Sequence, residues 1–296
     1  MRHWFVNTRA GKSVFSWEAF FKNGSIQKSN SVIIMDRYLF IGVQRDKKGN
    51  KYKFVKKYKN SSENINEILK TIIPGSFSGD YHILFVFDDE QLVVKTPDNS
   101  KSLEKSLCSI CQIITKGLNK SCSLNLEFLG IHNGKRIEKK DSPDVKNKKF
   151  YLQRLYSLTH DRRIISNYFM VNATHGWDAL QYLNNHTPKA KETQSFYYDA
   201  LLSGIDNPDQ ADISNSIPID YVQSFVDDFV KALTFAKEGS YYCYRYSVNT
   251  GLEQITIDKL QNRVLLLSKN PVQIKPWNPT SRLFGRDNQK PSKYRY

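Results

Sequence analysis

The sequence feature that most constrains the fold is a long amphipathic repeat in residues 101–118, KSLEKSLCSICQIITKGL. Apolar residues recur in it at intervals of three or four positions, which places them on one face of an α-helix. These residues are Leu103, Leu107, Ile110, Ile114 and Leu118. The repeat therefore predicts a helix that packs this face against a hydrophobic core.

The same repeat contains a C-x-x-C motif, formed by Cys108 and Cys111. With Cys122 and His132 downstream, the motif could belong to a zinc site. Zinc knuckles, however, normally place C-x-x-C in a tight turn and supply a matching second pair. Because the helical spacing puts both cysteines inside a helix, we predict core thiols, with no metal and no other cofactor.

A strong basic excess limits the classes of partner. Lys and Arg number 44 against 29 Asp and Glu, which gives a formal net charge of +15. Such an excess favours a polyanion, most often a nucleic acid, as the partner. A generally basic surface or an acidic protein partner would also account for it.

Segments that would direct the chain to or across a membrane are not expected from the sequence. No apolar run approaches the ~20 residues that a membrane helix needs, and the N-terminus lacks the apolar core of a signal peptide. Four cysteines also suit a reducing compartment. We therefore expect a cytoplasmic, nucleoid or nuclear protein that is not secreted and has no membrane partner.

Strand and helix patterns predict an α+β fold in three parts. Residues 1–60 are predicted to be a β-rich region, with a hairpin formed by VIIMDRYLFIGVQR and KYKFVKKY around DKKGN. Residues 61–236 are predicted to be a mixed core that begins with a capped helix in SSENINEILKTIIPG, continues with a second hairpin, YHILFVF and QLVVKT, and is mainly helical in the middle of the chain. Residues 237–296 are predicted to be a short β-rich end with a basic C-terminal arm.

A segment of the middle part concentrates residue types that suit phosphate chemistry. His160 and Arg163 form H-x-x-R at a predicted helix start, His186 ends a predicted helix, and Tyr197 and Tyr198 follow. Arginine binds two phosphate oxygens at once, and histidine moves protons near neutral pH. A tyrosine hydroxyl can attack phosphorus and form a covalent intermediate. Each residue alone also fits a basic turn or core packing, so the joint spacing carries the prediction.

At these residues the chain resembles the catalytic end of the tyrosine recombinases, the phage integrase family. SLTHDRR is similar to the family's H-x-x-R turn, LQYLNNH to its leucine-rich helix ending in histidine, and KETQSFYY to its tyrosine segment. The resemblance implies that DNA is cleaved and rejoined through a phosphotyrosine. It implies that His160, Arg163 and His186 bind the scissile phosphate. It also implies that Lys95 protonates the leaving oxygen and that Tyr197 attacks.

The family's first arginine is not found where its pattern places it. That arginine should lie a few dozen residues before the hairpin lysine, yet residues 65–81 contain no arginine. Either it is displaced, or the chain is a degenerate relative, or the match arises by chance. The competing function is a non-catalytic nucleic-acid-binding protein, such as an accessory or structural protein of a virus or mobile element. A third is a metal-dependent nuclease using Asp88, Asp89 and Glu90, although a charged hairpin tip is the commoner explanation of these acids.

Basic residues outside the catalytic segment are predicted to contact phosphates of DNA or another nucleic acid. The second strand of the first hairpin alternates lysine with aromatic or apolar residues, so one face of it is basic. SYYCYRYSV predicts a strand whose tyrosines could stack bases or simply pack. The predicted contacts are Lys51, Lys53, Lys56, Lys57, Arg245, Arg282, Arg286, Lys290, Lys293 and Arg295. A homo-oligomer on DNA is compatible with this picture.

Overall fold

A computed structural model of the chain describes less than half of its residues, in short segments. The described residues are 4–8, 16–23, 31–37, 39–40, 43–45, 52–54, 59–73, 80–88, 99–118, 122–131, 162–166, 169–173, 177, 180–182, 188–190, 194–200, 232, 234–237, 239–257 and 259–260.

The elements in these segments are mainly strands, with α-helices in the first part of the chain. The helices are α1 (Trp17–Asn23), α2 (Lys59–Ile72) and α3 (Asn99–Leu118). The strands are β1 (Trp4–Thr8), β2 (Ser31–Met35), β3 (Val43–Arg45), β4 (Tyr52–Phe54), β5 (Asp80–Asp88), β6 (Ser123–Ile131), β7 (Arg163–Ser166), β8 (Phe169–Ala173), β9 (Leu180–Tyr182), β10 (Pro188–Ala190), β11 (Gln194–Ala200), β12 (Tyr241–Ser247) and β13 (Gly251–Gln254).

Nine of the described strands form one mixed sheet, in the order β1-β11-β8-β7-β2-β5-β6-β12-β13. The three central neighbours β2, β5 and β6 are parallel. The flanking strands on both sides pair antiparallel. Strands β3 with β4, and β9 with β10, form separate two-stranded sheets. The sheet thus contains strands from all three parts that the sequence predicts.

The helices cover one face of the central strands. α2 lies in the connection from β2 to β5 and α3 in the connection from β5 to β6, and the two helices contact each other. Right-handed crossovers that step in the same direction place their helices on the same face of a sheet. α1 packs beside α2 on this face. The apolar faces of the three helices belong to one core cluster with the strand residues below them.

The central strands are buried on both faces. Ile34, Phe85 and Phe128 lie in one row across β2, β5 and β6 within the helix-side core. The rings of Phe85 and Phe128 stack with centroids 5.4 Å apart. On the opposite face, Val86 and Leu129 are fully buried as well. Apolar runs such as ILFVF are the expected sequence of parallel strands buried on both sides.

Several local predictions are confirmed by these elements. The amphipathic repeat forms α3, and its apolar residues are buried. The first hairpin is confirmed only in part, because VQR of β3 pairs with β4 whereas VIIM of the same predicted strand belongs to β2 of the main sheet. The strand predicted in SYYCYRYSV is β12, which lies between β6 and β13. Each of these segments has one consistent apolar period along its length, and that period identifies its structure.

The predicted mainly helical middle is wrong. The residues described from Arg163 to Ala200 form strands β7 to β11, and three of these strands extend the main sheet. Leu180 belongs to LQYLNNH, the segment predicted as a helix that ends at His186, but it begins β9 instead, and Trp177 just before it is buried outside any helix. The physical reason is that short apolar runs fit a helix and a strand equally well by spacing. Their aromatic and β-branched residues favour the strand once a sheet edge is present.

The predicted second hairpin is also wrong. Its first strand, β5, pairs in parallel with β2 on one side and with β6 on the other. Both edges of β5 are therefore occupied, and no antiparallel strand can follow it through a tight turn. The length of YHILFVF and its lack of polar alternation are typical of an internal parallel strand.

Candidate functional site

An arginine, an asparagine and a tyrosine lie in one row across three neighbouring strands. Arg163 on β7 is paired in register with Asn172 on β8, and Asn172 is paired with Tyr197 on β11. Neighbouring strands are about 4.8 Å apart, so backbone positions 163 and 197 are separated by about 10 Å. Positions directly opposite each other belong to the same face of a sheet. We call Arg163, Asn172 and Tyr197 the polar row.

The register separates the two adjacent tyrosines. Position 198 is paired with Val171, which is fully buried in the helix-side core. Position 197 is paired with Asn172, which is partly exposed on the other face. Successive residues of a strand alternate between the two faces. Of the two, Tyr197 therefore shares the face of Arg163.

The two consecutive arginines of the H-x-x-R segment have different surroundings. Arg162 precedes β7, and its Nε lies 3.7 Å from Oδ1 of Asp36, which is an ion pair. Its carbonyl oxygen accepts a hydrogen bond from the Ala173 amide, which extends the pairing of β7 with β8. Arg163 is the first residue of β7 and is partly exposed. The segment thus presents one arginine at the end of the sheet and one within it.

Two buried aspartates mark the carboxyl ends of β2 and β5. Asp36 directly follows β2 and is 4% exposed, and Asp88 ends β5 and is 3% exposed. Nε of Arg37 donates a hydrogen bond of 3.1 Å to Oδ2 of Asp88. Asp36 is the ion-pair partner of Arg162. Burial of a carboxylate is costly unless it is paired, so each guanidinium stabilises the acid beside it.

This arrangement bears on the predicted metal site. Asp88 is not at a charged hairpin tip, because it is buried at the end of an internal strand and bonded to Arg37. Among the described residues, no group of three or more His, Cys, Asp or Glu side chains is arranged to bind a metal. Asp89 and Glu90 lie outside the described residues.

The predicted nucleic-acid contact Arg245 lies between two glutamates. Its Nε donates a hydrogen bond of 3.1 Å to Oε1 of Glu127 on β6. Its Nη1 lies 3.8 Å from Oε1 of Glu253 on β13. The strand register places Arg245 directly opposite both acids. Two carboxylates offset the single positive charge, which weakens its attraction for a phosphate, and contact of Arg245 with a nucleic acid stays a prediction.

The tyrosines of β12 that were considered as a base-stacking surface are largely buried. Tyr242 is 7% exposed and Tyr244 is 5% exposed, and both belong to the helix-side core. The Tyr242 ring lies over Gly130, where an added Cβ would come within 2.0 Å of its Cζ. Burial raises the pKa of Tyr244, and the charge and hydrogen bond of Glu104 raise it further. These two tyrosines pack and are not available to stack on bases.

The two thiols of the C-x-x-C motif lie on α3, where burial favours the protonated form of both. Cys111 is buried in the core and Cys108 is partly exposed on α3. Burial raises the pKa of Cys111, and the neighbouring Cys108 adds to this effect. Burial also raises the pKa of Cys108, with a further contribution from Glu104. A raised pKa lowers the population of the thiolate, which is the reactive form. The burial of Cys111 in the core cluster confirms the prediction of a core thiol for this residue.

The structure leaves the remaining predicted site residues untested. Lys53 lies in β4, where only its backbone is described, opposite Gln44. The others lie outside the described residues: Lys51, Lys56, Lys57, Lys95, His160, His186, Arg282, Arg286, Lys290, Lys293 and Arg295. Of the predicted catalytic residues, the structure therefore relates only Arg163 and Tyr197 to each other.

Sequence reasoning missed Asp36, and it placed Asp88 at a hairpin tip and not at the end of a parallel strand. Asp36 follows the apolar run SVIIM, and Asp88 follows ILFVF. An acid directly after a fully apolar strand marks the carboxyl end of a parallel strand, where α/β proteins commonly bind ligands. The signal was present, but the second run was interpreted as half of a hairpin.

Comparison with models of known protein families finds no match, and comparison with curated protein sequences finds none either. Within the described part of the chain, none of the helices combines the length and apolar character that crossing a membrane requires.

Proposed function

We propose that the chain is a nucleic-acid-binding protein that contacts phosphates through the polar row. The observation that carries the proposal is the register of β7, β8 and β11, which aligns Arg163, Asn172 and Tyr197 on one face. Arginine, amide and phenol groups all donate hydrogen bonds to phosphate oxygens. Successive residues of the row lie on neighbouring strands, and this spacing suits contact with a phosphate placed above the row.

The charge distribution of the sequence supports a polyanionic ligand. Residues 261–296 contain eight Lys and Arg residues and one acidic residue. Such an arm adds phosphate contacts that do not depend on base sequence. A protein of this type would act in the cytoplasm, the nucleoid or the nucleus, with DNA as the first ligand to test.

Salt dependence and one substitution test this proposal. We expect the logarithm of the DNA-binding constant to fall steeply and linearly with the logarithm of salt concentration. Arg163→Ala should weaken binding about tenfold, because a hydrogen bond to a charged group contributes roughly 1.5–3 kcal/mol. Lys70→Ala is the matched control, since this exposed lysine on α2 pairs with Glu67 on the surface. A flat salt plot, or equal losses in the two variants, would contradict the proposal.

Strand cleavage through Tyr197 is a second candidate function. The shared face of positions 163 and 197 favours it, because a nucleophile and a phosphate-binding arginine must approach the same phosphodiester. In this reaction the Tyr197 oxygen would bond to phosphorus, and the leaving strand oxygen would take up a proton. The resemblance assigns this protonation to Lys95.

A nicked DNA substrate tests the covalent step. When the short flanking strand diffuses away, a phosphotyrosine adduct persists and survives denaturation. Tyr197→Phe should abolish the adduct and leave binding nearly unchanged, whereas Tyr198→Phe should retain the adduct, since position 198 faces the core side. Tight binding by the wild-type protein without any adduct would leave phosphate binding as the function and remove the cleavage step.

A further inference from the structure

We infer that the polar row and its neighbour Phe5 form a surface that binds single-stranded nucleic acid, with the Phe5 and Tyr197 rings stacking on two bases. Such binding rests on the proposed function and specifies its ligand as an unpaired strand. A duplex does not fit the same surface, because its bases are stacked on each other and present only their edges in the grooves.

The row extends from β1, at one end of the described strand order, towards the centre of the sheet. Phe5 on β1 is paired in register with Tyr197, and the row continues through Asn172 to Arg163. Beyond Arg163, the next position of the row is Met35 on β2. Two aromatic residues therefore lie side by side on neighbouring strands, and two polar residues separate them from Met35.

Exposure changes along this row. Met35 is 1% exposed, and Val86 and Leu129, which follow it in register, are fully buried. Arg163 and Asn172, in contrast, are partly exposed. The dense packing of this face thus ends at Met35, and the two aromatic positions lie beyond the polar residues.

The two faces of the outer strands differ in composition. On the helix side, a row of Trp4, Tyr198 and Val171 joins the helix-side core at Val171. On the opposite face, the positions around Phe5 and Tyr197 are Asn7, Asn172, Ser195 and Asp199, with Met170 next to Asp199. An antiparallel sheet commonly packs its apolar face on the core and turns its polar face to solvent. Packing against the helices therefore does not account for Phe5 and Tyr197.

The chemistry of this face suits bases more than phosphates. Its described positions on β1, β8 and β11 include one acid, Asp199, and no Lys or Arg. Aromatic rings stack on bases of any sequence, and an amide such as that of Asn172 can bond to a base edge. The phosphates of the same strand are ligands for basic residues outside these three strands, in a chain whose formal net charge is +15.

The spacing of the strands suits neighbouring bases that are not stacked on each other. Directly opposite positions on antiparallel strands are about 4.5–5.5 Å apart. Bases of a duplex follow one another every ~3.4 Å along each strand. Two bases that meet Phe5 and Tyr197 separately must therefore be drawn apart. A single strand has this freedom, and its unstacked bases are those that aromatic side chains bind.

Three forms of one oligonucleotide separate base stacking from phosphate binding. The full-length protein is titrated by fluorescence anisotropy with a single strand, with the same sequence as a duplex, and with a strand whose central nucleotides are abasic. DNA and RNA versions of the single strand show which sugar is preferred. We expect the duplex and the abasic strand to bind at least tenfold more weakly than the single strand, although all three carry phosphates.

Substitutions assign the stacking to the two rings. Phe5→Ala and Tyr197→Ala should each weaken single-strand binding about tenfold, a common result of removing a ring that stacks on a base, and should change duplex binding little. Tyr197→Phe keeps the ring and should bind as the wild type does. Tyr246→Ala removes a partly exposed tyrosine of β12, outside the row, and should leave the preference for the single strand unchanged.

A crosslink locates the bases even if one variant does not fold. Single strands that carry 5-iodouracil are irradiated while bound to the wild-type protein, and the modified residue is identified by mass spectrometry. Modification of Phe5 or Tyr197 supports the assignment. Modification only of aromatic residues in other segments overturns it.

The outcomes separate base stacking from the proposed function. Equal affinity for the single strand, the duplex and the abasic strand overturns base stacking and leaves phosphate binding in place. Failure of every form to bind overturns both. A preference for the single strand that persists in folded Phe5→Ala and Tyr197→Ala variants overturns the assignment of the bases to this face.

Discussion

Two regions of the sheet combine arginine with buried acids, and they differ in the balance of charge. At the carboxyl end of β2 and β5, Arg37 bonds Asp88 at 3.1 Å with 21% of its side chain exposed. In the middle of β12, Arg245 bonds Glu127 at 3.1 Å with 20% exposed. The contacts are almost identical. In the described part of the first region each buried aspartate has its own arginine, whereas in the second region one arginine is shared by two glutamates.

The difference follows from where the strands place these residues. Arg245 has a strand on each side, and each neighbouring strand supplies a glutamate directly opposite it. Its guanidinium is therefore enclosed by carboxylates within the sheet. At the end of β2 the described backbone leaves the sheet in a turn, in which the Leu39 amide donates to the Asp36 carbonyl. Arg37 and Arg162 each pair with one buried aspartate there, so neither arginine is shared in the way that Arg245 is.

The largest expected effect is the loss of Glu127. Glu127→Ala removes the acid that pairs with Arg245 inside the sheet, and breaking a buried ion pair from one side costs about 3 kcal/mol. Urea unfolding of the variant and the wild type measures this difference. Affinity for DNA should not fall, because Glu127 lies outside the polar row. If that affinity falls in a variant that is still folded, the two regions do not act separately.

The second prediction concerns the corresponding acid at the edge. Asp88→Asn keeps the shape of the side chain and one oxygen acceptor but removes its charge, so we expect a loss of about 1–2 kcal/mol in unfolding free energy. Urea unfolding of this variant and of the wild type measures the loss. A loss as large as that of Glu127→Ala would break the comparison, because the single Asp88–Arg37 pair would then contribute as much as the pair inside the sheet.

Helices and strands with a sustained period could be predicted from the sequence, whereas their arrangement could not. The spacing from Leu103 to Leu118 identified α3, and the alternation in SYYCYRYSV identified β12. The middle segment failed because RIIS and FMVNA are too short to show a period, and they become strands through pairing with β2 and with each other. The pairing of β7 with β2 joins residues more than a hundred positions apart, and no local pattern records it.

The candidate site was predictable only in part, for the same reason. Arg163 and Tyr197 were chosen as residues of the right chemical type, and the register of β8 between them places them on one face. The sequence does not show that Asp36 and Asp88 lie at neighbouring strand ends, because this proximity depends on the parallel pairing of β2 with β5. Arg245 was counted among the phosphate contacts because the sequence does not show which acids lie on neighbouring strands.

A third prediction uses the thiol beside the Arg245 region. Burial raises the pKa of Cys243 from its ordinary value of 9.0 to about 12, and the charge of Glu127 contributes to the increase. A pKa that is higher in the folded state gives stability that is fully present below pH 9 and is lost as the pH rises towards 12. Between pH 8 and pH 10, the free energy of unfolding of Cys243→Ala should therefore fall by about 1 kcal/mol less than that of the wild type.

Urea unfolding at several pH values measures this loss. Cys108→Ala is the matched control, because Cys108 is partly exposed and lies on α3, away from Glu127. Cys108→Ala should change the loss of unfolding free energy between pH 8 and pH 10 by less than Cys243→Ala does. If the two variants follow the same curve, burial against β6 does not set the acidity of Cys243, and the interior around Glu127 is more hydrated than its burial indicates.

The smallest expected effect comes from Glu253, the second acid beside Arg245. Its side chain is 47% exposed, and its Oε1 lies 3.8 Å from Nη1 of Arg245. Exposed ion pairs contribute about 0.2–1 kcal/mol and weaken with salt. We expect Glu253→Gln to cost at most about 0.5 kcal/mol in urea unfolding, and less at 1 M salt. In the double variant with Glu127→Ala, Arg245 would have no carboxylate from either of its two strand partners. The loss of unfolding free energy in the double variant should therefore exceed the sum of the losses in the two single variants. Simple additivity would mean that Glu253 does not share the guanidinium with Glu127, and that the charge balance distinguishing the two regions is smaller than the register implies.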